Sequence, residues 1–399
     1  MSDNFCVMPF IHAFVTPNKI TPCCAYAGDL AFNSKKQYWN SEQLKKIQKN
    51  FLDNKQDKGC WDCWDKEKRG YSSLRQHSNQ IYSKHIDDIK QGKKLEHPFY
   101  LDLRLGNLCN LKCRMCVSEW SSQIADEIIN NPNEDWGDEK PTEKIIELDD
   151  DTWETLTNWI PYVKRVFMTG GEPTIIKRNL DYINKIIETG HSKDIELIFT
   201  TNATNVNKNF LDVVKHFNKV HFSVSIDGTR NLANYIRYPS DWSKIRENLL
   251  TIGQSEVGIA INTTVQWLNM TRLNEMFRFV EDFVESKPKQ FAGVWFQLVQ
   301  HPLYLDPMYA PRFMKEKAIN DITEFLEKSE MLSDKKYHNI LYGEFAKSLN
   351  QTKNFLQENI GNIKYVDVFI KRMEILDRLR DQKLFDVLPE LKQLGGQKW

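Results

Sequence analysis

The chain has 399 residues, of which 41% are hydrophobic and 12% aromatic; that is enough for a large core and too apolar for a disordered chain. Lys plus Arg and Asp plus Glu are each 54, so the formal net charge is zero, which argues against a protein built mainly to grip nucleic acid by displacing counterions. No apolar run reaches the roughly 18 residues of a membrane span, and the opening MSDNFCVMPF lacks the basic and then apolar pattern of a secretory signal.

Residues 1–97 are rich in Cys and Trp and poor in strand-like runs. From 98 to 304, short apolar runs alternate with segments of helical period. Strands are expected at Phe99–Leu105, Tyr162–Met168, Ile195–Thr200, Val220–Ile226, Val257–Val265 and Phe291–Val299. Helices are expected over Leu180–Glu188, Phe210–Phe217, Trp242–Ile252 and Leu273–Val284. Repeated βα units predict an α/β fold with a parallel sheet, and right-handed crossovers favour a curved sheet, a partial (β/α)6 barrel. The stretch Glu119–Glu154 holds 13 Asp or Glu against two Lys and is expected to be a solvated, turn-rich excursion. Residues 305–399 read as helical, with Phe325, Leu326, Phe345, Leu349, Phe369, Ile375, Leu376 and Leu379 as core candidates. The expected division is therefore a Cys-rich module (1–97), an α/β core (98–304) and a C-terminal helical region (305–399).

Eight cysteines stand at positions 6, 23, 24, 60, 63, 109, 113 and 116. Without a secretion signal the expected compartment is a reducing cytoplasm, where neighbouring cysteines bind metal or do redox work. The first core strand runs into GNLCNLKCRMC, which spaces Cys109, Cys113 and Cys116 as C-x3-C-x2-C. Three thiolates on one loop at the C-terminal end of a strand can hold a metal centre and leave one position open for chemistry. The bland alternative is unligated thiols, or a zinc site completed by a distant residue.

That loop resembles the cysteine motif of the radical S-adenosylmethionine (SAM) superfamily, with Met115 before the third cysteine. Further motifs follow in family order. TGGEP (Thr169–Pro173) ends strand two, TTNAT (Thr200–Thr204) strand three and SVSIDG (Ser223–Gly228) strand four, with NYIRYP beyond. The resemblance implies a [4Fe-4S] cluster on Cys109, Cys113 and Cys116. It implies SAM contacts from Gly170, Gly171, Glu172, Thr201, Asn202, Ser225 and Arg237, with Asn262 a weaker candidate. It also implies reductive cleavage of SAM to a 5′-deoxyadenosyl radical, hydrogen abstraction from a substrate carbon, and a one-electron donor such as flavodoxin or ferredoxin.

Cys60-Trp-Asp-Cys63 is a CxxC knuckle, and Cys6 and Cys23 flank the hairpin-like FIHAFVTPNKITPC with Pro17-Asn18 at its turn. CVMPF, ITPCC and GCWDCWDKEKRGYSSLRQ resemble the Twitch/SPASM type of auxiliary module, placed here before the core. The resemblance implies one auxiliary [4Fe-4S] cluster on Cys6, Cys23, Cys60 and Cys63; structural zinc and free thiols are the alternatives. Adjacent cysteines ligate one metal poorly, so Cys23 is preferred to Cys24. Trp39, Trp61 and Trp64 are expected to pack around this site.

Asp102 and Arg104 alternate with leucines in strand one and so share a face. Gln297, Gln300, His301 and Tyr304 lie where strand six delivers substrate-reading side chains. The expected substrate is a peptide or a small molecule such as a sugar, nucleotide or amino acid. The rival class is a non-catalytic zinc-binding interaction protein.

Overall fold

A computed structural model describes residues 4–28, 30, 34–68, 72–333 and 345–396. In chain order its strands are β1 (His12–Val15), β2 (Ile20–Thr21), β3 (Tyr100–Leu103), β4 (Lys112–Cys113), β5 (Arg165–Met168), β6 (Glu196–Thr201), β7 (Lys219–Ser225), β8 (Arg237–Tyr238), β9 (Gly258–Val265) and β10 (Phe291–Leu298). All six expected core strands are present, each within a few residues of its expected bounds. The expected helices form as Lys177–Glu188, Lys208–Val214, Trp242–Gly253 and Leu273–Glu285. The class is α/β, as expected.

The chain divides into two compact units. The first comprises 1–107, 145–199 and 216–219. Its strand order is β6-β5-β3-β1-β2, parallel except for the antiparallel β1–β2 hairpin. That hairpin is the one expected around Pro17-Asn18: Lys19 and Thr16 exchange backbone and hydroxyl hydrogen bonds across the turn. β1 pairs alongside β3, with Phe14 opposite Asp102 and Val15 opposite Leu103. Period-two alternation puts Leu101, Leu103, Val166, Met168, Leu197 and Phe199 on one face, all fully buried. Phe167 and Ile198 align with Asp102 on the other.

The second unit comprises 108–144, 200–215 and 220–399. It carries the parallel order β10-β9-β7 and the small antiparallel pair β4–β8. Phe222, Val224, Ile259 and Ile261 are fully buried, while Ser225 pairs with Asn262, which in turn aligns with Trp295. The C-terminal region is helical as expected, with Arg312–Lys328, Lys347–Glu358 and Val366–Arg380. Phe325, Phe345, Leu349, Phe369 and Leu376 are buried in it, whereas Leu326, Ile375 and Leu379 are only half-buried.

The middle of the acidic stretch, residues 131–142, is turn-rich and mostly exposed, as expected, but the segment before it departs from that character. Residues Ser122–Asn130 form a helix that buries Ile124, Glu127 and Ile128, and Trp136 is buried beyond it. Glu127 and Glu134 are tied to Arg380 and Arg378, at 2.7 and 2.6 Å. Charge density alone does not report this, because buried Glu127 and half-buried Glu134 have partners 253 and 244 residues further on, where no local pattern points. Among the described residues, no helix is long and apolar enough to cross a membrane.

Candidate cluster sites

The Cys109–Cys116 loop lies in the second unit and is fixed from three directions. Cys109 donates its backbone N–H to the Ser122 hydroxyl at 3.1 Å, and its sulfur accepts the Leu111 N–H at 3.5 Å. Asn110 and Asn202 join through a 3.0 Å side-chain bond, and both bond to Thr204. Arg114, buried between two of the cysteines, stacks on the Tyr235 ring at 3.6 Å, donates to the Tyr235 carbonyl and pairs with Asp377 at 2.6 Å.

β4 pairs with β8 so that Cys113 stands opposite Arg237. The guanidinium Nη1 approaches the Cys113 sulfur at 3.7 Å, while Nη2 pairs with Asp227 at 2.6 Å. Burial pushes the Cys113 thiol up, and Arg237 opposes that by favouring the thiolate. Burial and the neighbouring Cys113 push Cys116 up to about 12. Without a metal these thiols are neutral; bound iron supplies the positive charge that stabilises thiolates here. The chemistry of the donor set therefore fits an iron–sulfur cluster.

Cys113 and Cys116 line a cavity of about 550 Å³. His301 and Tyr304 line the same cavity, as do Glu127, Trp136, Glu139, Arg372 and Arg380. Gln297 and Gln300 are not among its lining residues. Ser225 is buried at the end of β7, and the Thr201 hydroxyl accepts the Ala203 N–H at 3.0 Å. Asp227 was missed in the sequence reading, although it stands inside the quoted SIDG. Asn110 and Arg114 stand inside the quoted GNLCNLKCRMC without being singled out, and Arg372 and Arg380 carry no motif at all.

In the first unit, Gly170 and Gly171 adopt φ of 73° and 52°, a region that only glycine enters freely. A Cβ on Gly170 would lie 2.8 Å from that of Arg104. Arg104 donates Nε to the Thr169 hydroxyl at 3.0 Å and stacks over Phe14. The Glu172 carboxylate is buried and accepts from the Thr174 hydroxyl and N–H at 2.7 and 3.1 Å.

Cys6, Cys23, Cys60 and Cys63 line one small cavity in this unit, together with Met8, Ala25, Phe51, Leu74 and Arg75. Cys24 points elsewhere, toward Asp102, whose carboxyl takes its thiol hydrogen bond. The two halves of the site meet at Ala27 N–H and Gly59 carbonyl, 2.8 Å apart. A Cβ on Gly59 would run into the Tyr26 ring at 2.4 Å. Burial pushes the Cys6 thiol up to about 12, and Cys23, Cys60 and Cys63 rise for the same first reason. Arg75 lies beside them, holding the Phe5 carbonyl at 2.7 Å and Glu67 at 2.7 Å. Trp64 packs against this core and Trp39 is buried, but Trp61 is 57% exposed and packs against neither. It sits one residue after Cys60 at the start of the helix Trp61–Lys68, which turns its side chain outward.

None of the eight cysteines is in a disulfide. Among the described residues, no three Cys, His, Asp or Glu side chains draw close enough to hold one metal ion.

Residues 103–280 match the family model described as the Radical SAM superfamily. The matched stretch covers just under half of the chain and contains all three cysteines of the loop. A search of curated proteins finds no match. Among solved structures the chain is similar to native anSMEcpe with bound AdoMet, at 19% identity over 57% of this chain and 61% of that one, with a TM-score of 0.39. It is similar to SuiB of Streptococcus suis at 15% identity, over 74% and 61% of the two chains, with a TM-score of 0.41. A third likeness is to the radical S-adenosylmethionine methyltransferase TsrM of Kitasatospora setae, at 10% identity over 50% and 34%, with a TM-score of 0.35. The chain spans about three-fifths of the length of the first two.

Proposed function

We propose that this protein is a radical SAM enzyme in which Cys109, Cys113 and Cys116 hold a [4Fe-4S] cluster that binds SAM. The observation that carries this reading is the placement of Cys113 and Cys116, inside the matched domain, on a cavity shared with His301 and Tyr304. When bound, the cluster and SAM supply a 5′-deoxyadenosyl radical that abstracts hydrogen from a substrate carbon.

The chain's own residues provide the frame. Arg237, fixed by Asp227, favours the thiolate form of Cys113. Arg114 and the Asn110–Asn202 bond hold the loop in place. Gly170, Gly171, Glu172, Thr201, Asn202, Ser225 and Arg237 are assigned to the SAM site. The cavity is of the size that takes a small molecule or one side chain of a peptide with its flanking backbone.

Cys6, Cys23, Cys60 and Cys63 are assigned to an auxiliary [4Fe-4S] cluster. Their shared cavity supports this. A flavodoxin or ferredoxin in a reducing cytoplasm would deliver the electron.

The test is anaerobic reconstitution, followed by incubation with SAM and a strong one-electron reductant. Wild type is expected to form 5′-deoxyadenosine, and Cys109→Ala, Cys113→Ala and Cys116→Ala to form none. Protein that takes up only zinc and leaves SAM intact would overturn the proposal.

A further inference from the structure

The cavity beside Cys113 and Cys116 has a second wall, formed by the helix Val366–Arg380, which brings Arg372 and Arg380 to it. The Arg372 guanidinium lies 5.3 Å from the Trp136 ring centroid and 5.9 Å from that of Tyr304. It makes no ion pair among the described residues. Stacking fixes the plane of the guanidinium while leaving its N–H edge open. Gly137, at φ 61°, gives it room: a Cβ there would come within 3.3 Å of Arg372 Nη2.

Arg380 is 4% exposed. Its Nε and Nη2 engage Glu127 at 3.1 and 2.7 Å, and its Nη1 is buried with no partner. A buried guanidinium N–H without an acceptor is costly and marks a place for one. The acids on the same cavity do not fill that role. Glu127 is already held by Arg380 and Lys112, Glu139 accepts the Ser118 N–H at 2.7 Å, and Asp138 is exposed.

We propose that this cavity binds an oxyanion of the substrate, a carboxylate or a phosphate, through Arg372 and the unpartnered Nη1 of Arg380. A guanidinium presents paired N–H groups that match two oxygens of either anion. The inference deepens the proposed function and rests on its reading of this cavity as the substrate site.

The test titrates the full chain, clusters reconstituted, with inorganic phosphate and with succinate in a calorimeter, chloride serving as the control at matched ionic strength. Saturable binding of phosphate or succinate is expected, weakened about tenfold in Arg372→Gln and partly restored in Arg372→Lys. Glu127→Gln, which releases Arg380, is expected to tighten binding, whereas a merely structural pair would leave it unchanged. Preference for phosphate or for succinate names the anion. No saturable binding of either, or equal binding by Arg372→Gln and wild type, overturns the inference. SAM cleavage is assayed on the same preparations. Cleavage without anion binding removes this inference and leaves the proposed function; anion binding without cleavage does the reverse.

Discussion

Cys113 and Arg237, 124 positions apart in the chain, face each other across a two-residue antiparallel bridge, with Nη1 of the guanidinium 3.7 Å from the sulfur. Asp227, fully buried, holds that guanidinium from the other side at 2.6 Å. The three residues form a relay of charge: the carboxylate fixes the cation, and the cation favours the thiolate.

Removing the middle member leaves Asp227 buried without its counter-charge. Arg237→Gln is expected to lose about 3–5 kcal/mol of stability, because a broken buried pair is worse than none. Asp227→Asn/Arg237→Gln together are expected to regain most of it. Urea unfolding of the three proteins checks this; equal midpoints for the single and double variants would show that the pair is not coupled.

Asp102 gives a pH signature. Burial raises its carboxyl to about 6, against an ordinary value of 3.8. The folded state therefore binds this proton more tightly than the unfolded chain does. The contribution is most favourable below about pH 4 and is lost as pH rises through about 6, to a total of ~3 kcal/mol. The difference in stability between wild type and Asp102→Asn is expected to change with that sign across pH 4–6 and to be flat above pH 7. A difference that is constant across the window would contradict the assignment.

Gly170 combines a left-handed φ of 73° with a clash, its added Cβ lying 2.8 Å from Arg104 Cβ. Gly190 has φ of 80° and nothing within 4 Å of an added Cβ. Gly190→Ala is expected to cost about 1 kcal/mol, for the backbone alone. Gly170→Ala is expected to cost about 2–3 kcal/mol, and to disturb the Arg104–Thr169 bond as well. Thermal unfolding of both variants separates the two contributions.

At the N-terminal site, Cys60→Ala and Cys6→Ala are expected to lose about four iron atoms per chain, while Cys24→Ala keeps them. Iron analysis after anaerobic reconstitution reads the outcome. Loss in Cys24→Ala with retention in Cys23→Ala would move the ligand by one position.

The six core strands were legible because each buries a short apolar run, as at Leu101 and Leu103 or Phe222 and Val224. The cysteines of both sites were legible because ligand spacing is local. The packing of Arg114 and Arg380 was not, since each finds its partners more than a hundred residues away, and Arg372 meets Trp136 and Tyr304 only in the fold. The turn-rich middle of the acidic stretch was legible, but the burial of Glu127 in the helix before it was not: composition describes the charge, and only the fold supplies Arg380 to neutralise it. The exposure of Trp61 was likewise hidden, because a tryptophan next to a ligand cysteine can turn either way on a helix.

The most direct test of the account is electron paramagnetic resonance of the reduced, reconstituted chain before and after addition of SAM. One of two cluster signals is expected to change with SAM and to be missing when Cys109, Cys113 and Cys116 are all replaced by Ala, while the other persists in both. A spectrum indifferent to SAM, or a SAM-sensitive signal that survives the triple replacement, would contradict it.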